Sequence, residues 1–123
     1  MTDAAAFRRI ALALPGVAEY PHFDRRAFKL RVTFATLAGD EMSANLKFAP
    51  DEQALKCAVH ADAFAALDNA WGRQGWTRAI LSALSEPQLA AALGLAWRHG
   101  AAKAKRRGAV KEKRRGAVKE KRR

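Results

Sequence analysis

Cysteine is almost missing from this chain of 123 residues: Cys57 stands alone. That excludes an internal disulfide framework and any zinc site built from several thiolates. One thiol suits a reducing cytoplasm, the expected location. Long apolar runs are missing too. No stretch approaches the roughly 18–20 residues that a membrane span needs, because Arg, Lys or Asp interrupts every greasy segment. The opening MTDAAAFRR sets an acid and two arginines ahead of any apolar stretch, which is not the order of a secretory signal. No glycine-rich phosphate loop, G-x-S-x-G elbow or H-E-x-x-H occurs, so nothing in the sequence points to an enzyme, a cofactor or a metal centre. Half of the residues are hydrophobic, enough for one folded core and too many for a wholly disordered chain.

Acids are scarce in one place only. The chain carries a net charge of +11, and residues 103–123 (KAKRRGAVKEKRRGAVKEKRR) hold 12 Lys/Arg against Glu112 and Glu120. Ten of the eleven net charges therefore sit in the tail, and residues 1–102 are nearly neutral. The tail repeats itself: KRRGAVKE over Lys105–Glu112 recurs over Lys113–Glu120. One Val per copy cannot build a core, and the eight-residue period matches no solenoid unit. The expectation is one domain over residues 1–102 followed by a flexible basic tail over 103–123. Such an arm gains affinity for phosphates by releasing counterions, without reading sequence.

Within the domain, Thr2 or Asp3 caps a first helix reaching about Leu14, with Phe7, Ile10, Ala11 and Leu14 as its apolar stripe. Pro15-Gly16 stops it. Residues 17–48 change to a period of two. Phe28, Leu30 and Val32 alternate with Lys29 and Arg31, Thr33–Leu37 is the hairpin partner, Gly39-Asp40-Glu41 is a turn, and Ala44, Leu46 and Phe48 alternate in a further strand. Pro50 opens a second helix whose apolar face is Leu55, Ala58 and Val59. Asp62 starts a helical turn carrying Phe64 and Leu67. Asp68-Asn69 and the glycines of Trp71-Gly72-Arg73-Gln74-Gly75-Trp76 read as a loop, and residues 76–83 as the last strand. Ser85 and Gln88 form a capping box for a final helix with Leu89, Ala92, Leu93, Ala96 and Trp97 on its buried stripe, a pattern lost near Gly100. The fold class is α+β, an antiparallel sheet with helices packed on one face.

The residues that carry chemistry fall into small groups. Arg73 offers a planar fork for phosphate or guanine, Gln74 can pair with adenine, Trp76 can stack on a base, and Arg78 follows on the strand. Gly72 and Gly75 would let backbone amides approach an anion. The structural alternative, favoured for both tryptophans, anchors Trp71 and Trp76 in the core. Lys29, Arg31 and Lys47 lie on the solvent side of neighbouring strands, either as a phosphate-binding patch or as scattered solubilising charges. Lys105, Arg106, Arg107, Lys113, Arg114 and Arg115 are the phosphate contacts of the tail. His22 and Asp24 could share a face and orient an imidazole, although no third partner is visible. Cys57 and His60 are two potential ligands, short of a metal site.

In order, Leu14-Pro15-Gly16-Val17, His22-Phe23-Asp24, Ala27-Phe28-Lys29, Phe34-Ala35-Thr36-Leu37, Asn45-Leu46-Lys47, Pro50-Asp51-Glu52 and Trp71-Gly72-Arg73-Gln74-Gly75-Trp76-Thr77 resemble the MmcQ/YjbR-like family over roughly residues 5–99. The chain departs from it at Leu30-Arg31-Val32-Thr33, where glycine is common. The resemblance implies a fold similar to CyaY, the bacterial frataxin-like protein, and the label DNA-binding, with strand-and-loop wings meeting the duplex. The acidic iron-binding ridge of frataxin-like proteins has no counterpart on a first helix that bears Arg8 and Arg9 and only Asp3. The leading expectation is a non-catalytic nucleic-acid-binding protein. The alternative is a protein- or small-ligand-interaction module with an incidental tail, which would show an apolar pocket or patch near the tryptophans.

Overall fold

The computed structural model describes the backbone of residues 2–121 and the side chains of residues 2–103. Helix α1 (Ala4–Ala13) is capped by Asp3, whose carboxylate accepts the Ala6 N–H. It ends before Gly16, which takes φ +76, a dihedral that glycine adopts without steric cost. Strands β1 (Ala18–His22), β2 (Arg25–Lys29), β3 (Thr33–Leu37) and β4 (Ser43–Lys47) follow as a meander. After them come α2 (Pro50–Val59), β5 (Phe64–Ala66), the one-turn α3 (Ala70–Arg73), β6 (Trp76–Ile80), a 3-10 turn over Leu81–Ala83, and α4 (Glu86–Lys121). The strands form one antiparallel sheet in the order β1-β2-β3-β4-β6-β5. This is the expected α+β architecture.

Strand register sorts the side chains onto two faces. Phe28, Ala35 and Leu46 stand in line across β2, β3 and β4, as do Leu37, Ala44, Ala79 and Phe64 from β3 to β5. These residues are buried under α1 and α4, with Phe7 edge-on to Phe28 at 5.3 Å between ring centroids. The stripe of α4 is the expected one: Leu89, Ala92, Leu93 and Ala96 are fully buried. Its N-terminus is the expected reciprocal cap, with Ser85 N–H donating to Gln88 and Gln88 N–H donating to the Ser85 hydroxyl. Trp97 is half-buried, and its indole N–H donates to the Pro15 carbonyl at 2.9 Å, tying α4 to the end of α1.

A register shift between Phe28 and Lys29 moves the pairing from Ala35 to Thr33. The extra residue is Phe34, so Phe34 and Ala35 both enter the core. Lys29 and Thr33 are left on the opposite face. Leu30 and Val32, expected within a strand, instead make the turn, where Leu30 N–H donates to the Val32 carbonyl. That hydrogen bond closes a hairpin that has no glycine.

Further expectations are corrected. Residues 62–67 are not helical: Phe64–Ala66 pairs with β6, and the Phe64 ring packs edge-on to Phe48 at 6.1 Å. Pairing along a sheet edge outweighs a short local helix signal. The face of α2 expected to be apolar points outward, with Leu55 63% and Val59 76% exposed. Gln53, Lys56, Cys57 and His60 form its inner side instead, because Gln53 is held by the segment between α3 and β6. Residues 70–73 form a helical turn capped by the Asn69 side chain. The last strand ends at Ile80, where the 3-10 turn begins. The helix α4 backbone runs from Glu86 to Lys121, beyond the Gly100 at which its apolar pattern stops.

The two glycines of α4 with described surroundings differ. A Cβ at Gly94 would meet nothing within 4 Å, whereas one at Gly100 would lie 3.1 Å from the Phe34 Cβ. Gly94→Ala is expected to stabilise the chain by about 0.5–1 kcal/mol through helix propensity. Gly100→Ala is expected to lose that gain to crowding against Phe34. Urea unfolding of the two variants beside the parent checks the difference.

Candidate nucleic-acid interface

Among the described residues, no helix covers the face of the sheet opposite α1 and α4. The residues of this face follow from the same register. Lys29 stands opposite Thr33, Lys47 opposite Trp76, and Thr36 opposite Asn45, which in turn stands opposite Arg78. These positions are polar or aromatic because they alternate with the core-facing ones.

An open cavity of about 360 Å³ lies at one end of this face. Lys29 and Arg31 enter from β2 and its turn, Lys47 from the end of β4, Trp71 and Gln74 from α3 and the residue after it, Trp76 from β6, and His99 and Lys103 from α4. Of the residues expected to bind nucleic acid, the structure therefore brings Lys29, Arg31, Lys47, Gln74 and Trp76 together. Arg73 and Arg78 are exposed outside it. Lys105, Arg106, Arg107, Lys113, Arg114 and Arg115 lie outside the residues whose side chains are described.

Among the described residues, no carboxylate lines this cavity. Burial pushes the Lys47 ammonium below its ordinary pKa, and the neighbouring charge of Lys103 lowers it further. Lys29 leans over the Tyr20 ring at 5.2 Å, a cation–π contact that holds it on the open face. Three arginines of the body are ion-paired, whereas Arg73, Arg78 and Arg98 are exposed without a described ion pair. Arg8 and Arg26 both pair with Glu19, at 3.2 and 2.7 Å, and Arg9 pairs with Glu86 at 2.8 Å. Among the described residues, Lys29, Arg31, Lys47 and Lys103 have no such ion pair.

A second cavity, about 330 Å³, adjoins the first along the open face. Trp71 and Trp76 line both cavities. The remaining wall is His22, Arg25, Thr33, Thr36, Asn45 and Leu67. Arg25 is fixed there: its Nε donates to the Thr36 hydroxyl at 2.8 Å and its Nη2 to the Thr36 carbonyl at 3.4 Å. Burial lowers the Arg25 pKa, with Asp24 and Asp40 opposing the shift.

The tryptophans are not core anchors. Trp71 is 59% exposed and Trp76 half-buried, and both face the open side. The glycines between them serve the backbone. A Cβ at Gly72 would meet the Leu67 carbonyl oxygen, and one at Gly75, which has φ +112, would meet that of Phe48. Their amides are also occupied, Gly72 N–H by the Asn69 side chain and Gly75 N–H by the Gly72 carbonyl. The expected approach of these amides to an anion is thereby excluded in this conformation. The loop is held by a residue that sequence reasoning missed. Gln53 of α2 donates from Nε2 to the Gly72 carbonyl at 2.9 Å and the Trp76 carbonyl at 3.1 Å.

His22 borders the second cavity and stacks edge-on to Phe23 at 4.9 Å. Among the described residues it makes no ion pair with Asp24, whose carbonyl instead lies against Gly39. His60 lies 3.4 Å from the Asp62 carboxylate. No group of three or more His, Cys, Asp or Glu side chains that could hold a metal ion occurs among the described residues. No described helix is long and apolar enough to cross a membrane.

Residues 12–99 match the family model YjbR. The chain belongs to the YjbR family. Among solved structures it is similar to the Deinococcus radiodurans protein DR2400, which carries the family-model domain DUF419. The TM-score is 0.65 at 18% identity, covering 79% of this chain and 77% of that one. At that identity the likeness shows the shared fold. No curated protein matches.

The held loop and the depressed lysine each have a measurable consequence. Gln53→Ala is expected to cost about 1–3 kcal/mol, the net worth of two typical hydrogen bonds, and to red-shift Trp fluorescence as the loop loosens. Urea unfolding and emission spectra check it. Lys47→Met is expected to raise the melting temperature at neutral pH. The fold disfavours the protonated lysine, so the unfolded chain binds more protons and stability rises with pH through the depressed pKa. The advantage of Lys47→Met therefore shrinks as the pH climbs to the ordinary lysine range, which melting curves across pH would show.

Proposed function

We propose that this chain is a non-catalytic nucleic-acid-binding protein of the cytoplasm that docks phosphates on the open sheet face. The observation that carries the reading is the segregation of charge. A body that is nearly neutral places Lys29, Arg31 and Lys47, joined by Lys103 from the first position of the tail, around one cavity with no carboxylate in its described lining, while Arg8, Arg9 and Arg26 are matched with acids elsewhere. Clustered like charge raises the local potential far more than the same charge dispersed. The basic tail supports the same reading, since α4 delivers Lys103 to the cavity and leads directly into residues 104–123. In this reading the tail supplies sequence-independent affinity, and the open face sets how the body sits on the strand.

The test is the salt dependence of oligonucleotide binding by the full chain. Replacing Lys29, Arg31 and Lys47 together by Gln is expected to flatten the slope of log K against log salt by about 2–3, close to one for each phosphate no longer neutralised. Replacing Lys105, Arg106, Arg107, Lys113, Arg114 and Arg115 by Gln is expected to flatten it further. Fluorescence anisotropy reads both. An unchanged slope in both variants, or no binding by the parent at low salt, would overturn the reading.

A further inference from the structure

The open face holds two unlike chambers that share one aromatic boundary. The first is cationic, with no carboxylate among its described residues. The second offers the neutral hydrogen-bonding groups of Asn45, Thr33 and Thr36 beside the fixed Arg25 guanidinium. Trp71 and Trp76 border both. Each chamber falls at the small end of the range of small-molecule sites, roughly 300–1,000 Å³.

We propose that the two chambers form one site for a single unpaired nucleoside 5′-phosphate unit, with the phosphate among Lys29, Lys47 and Lys103 and the base against Trp71 and Trp76. The proposal rests on the nucleic-acid reading for its biological source, a strand end or an unpaired stretch, but the site is defined by the nucleotide itself.

Three features argue for this ligand over a bare anion or a plain apolar compound. A bare anion would satisfy the lysines and leave the exposed Trp71 ring without a role. An apolar ligand would leave Arg25 and Asn45 facing it with hydrogen-bonding capacity unused, which is unfavourable in a desolvated site. A nucleotide has both halves in the arrangement seen: a doubly charged group on a short linker from a flat ring with donors and acceptors on its edge. A base inside a duplex shows no free face, so the tryptophans would select an unpaired one. The tryptophans are held for this purpose by Asn69 at the α3 cap and by the two Gln53 hydrogen bonds, which lowers the ordering cost of stacking. Phosphate binding would also return the Lys47 pKa towards its ordinary value, offsetting the burial and the Lys103 charge that depress it.

The test titrates the full chain with three probes, a nucleoside 5′-monophosphate, the nucleoside alone and inorganic phosphate, reading Trp fluorescence and calorimetric heat. The monophosphate is expected to bind at least about ten-fold more tightly than either part. Lys47→Gln is expected to weaken the monophosphate and phosphate but not the nucleoside. Trp71→Ala is expected to weaken the monophosphate and the nucleoside but not phosphate, which a general loss of folding would not produce. Inorganic phosphate binding as tightly as the monophosphate would overturn the proposal, leaving a simple anion site. So would the absence of any response to the monophosphate. Single-stranded and duplex oligonucleotides separate this proposal from the reading it rests on. Salt-sensitive oligonucleotide binding without a monophosphate response would sink the site and spare the nucleic-acid reading. A monophosphate response with neither oligonucleotide bound would do the reverse. Equal affinity for single strand and duplex would overturn the selection of unpaired bases.

Discussion

The burial of one sheet face, and only one, under α1 and α4 is the constraint from which the rest of the molecule follows. Both helices turn their apolar stripes onto Phe28, Phe34, Leu37 and Leu46. Among the described residues, nothing comparable remains to cover the other side. The alternate strand positions then face that side: Lys29, Asn45, Lys47 and Arg78 are half-buried or exposed there, while Thr36 and its partner Ala27 are buried. The polarity of the candidate interface is thus a consequence of how the core is built. The sign of its charge is not. An open face could equally be covered with mixed ion pairs, as around Glu19 on the body's other surfaces. Burial, with the charge of Lys103 nearby, holds the Lys47 ammonium below its ordinary pKa, a cost that the phosphate of the proposed reading would relieve.

The aromatic boundary depends on backbone more than on side chains. Gly72 and Gly75 admit the Leu67 and Phe48 carbonyls at distances no Cβ would allow. The chain from β5 to β6 can therefore fold tightly enough to turn Trp71 and Trp76 onto the open face. Gln53 then locks the loop from α2. This explains why α2 turns its polar side inward and leaves Leu55 and Val59 in solvent. The helix is oriented by two hydrogen bonds, by Lys56 over the Phe64 ring and by Cys57 against the core, and its apolar residues lie elsewhere on its circumference.

Much of the fold was legible in the sequence wherever a period was unbroken. The stripe Leu89-Ala92-Leu93-Ala96, the alternation of Ala44, Leu46 and Phe48, and the Ser85–Gln88 cap all depend on local spacing, and each is as expected. The errors lie where distant partners decide. Phe64–Ala66 becomes a strand because β6 offers an edge, and α2 is aimed by a loop that follows it by some twenty residues. The bulge at Phe34 shifts the pairing of β2 with β3, which alternation alone could not reveal.

The candidate site was legible in its cast and not in its assembly. Lys29, Arg31, Lys47, Gln74 and Trp76 could be singled out as basic or aromatic residues on strands and a glycine-bearing loop. Nothing in their spacing said that they share a cavity while Arg73 and Arg78 do not. Gly72 and Gly75 misled for a physical reason. Glycine before an exposed amide and glycine under a crowding carbonyl look identical in sequence, and only the neighbour at Leu67 or Phe48 distinguishes them. Lys103 was hidden differently. Composition assigned it to the tail, yet the helix that buries Leu89 and Leu93 carries on in one piece, so its position at the cavity is fixed by the core some ten residues earlier. The change in composition at residue 103 falls within the span of α4. The lysine at that point belongs to the charge of the arm and to the geometry of the body at once.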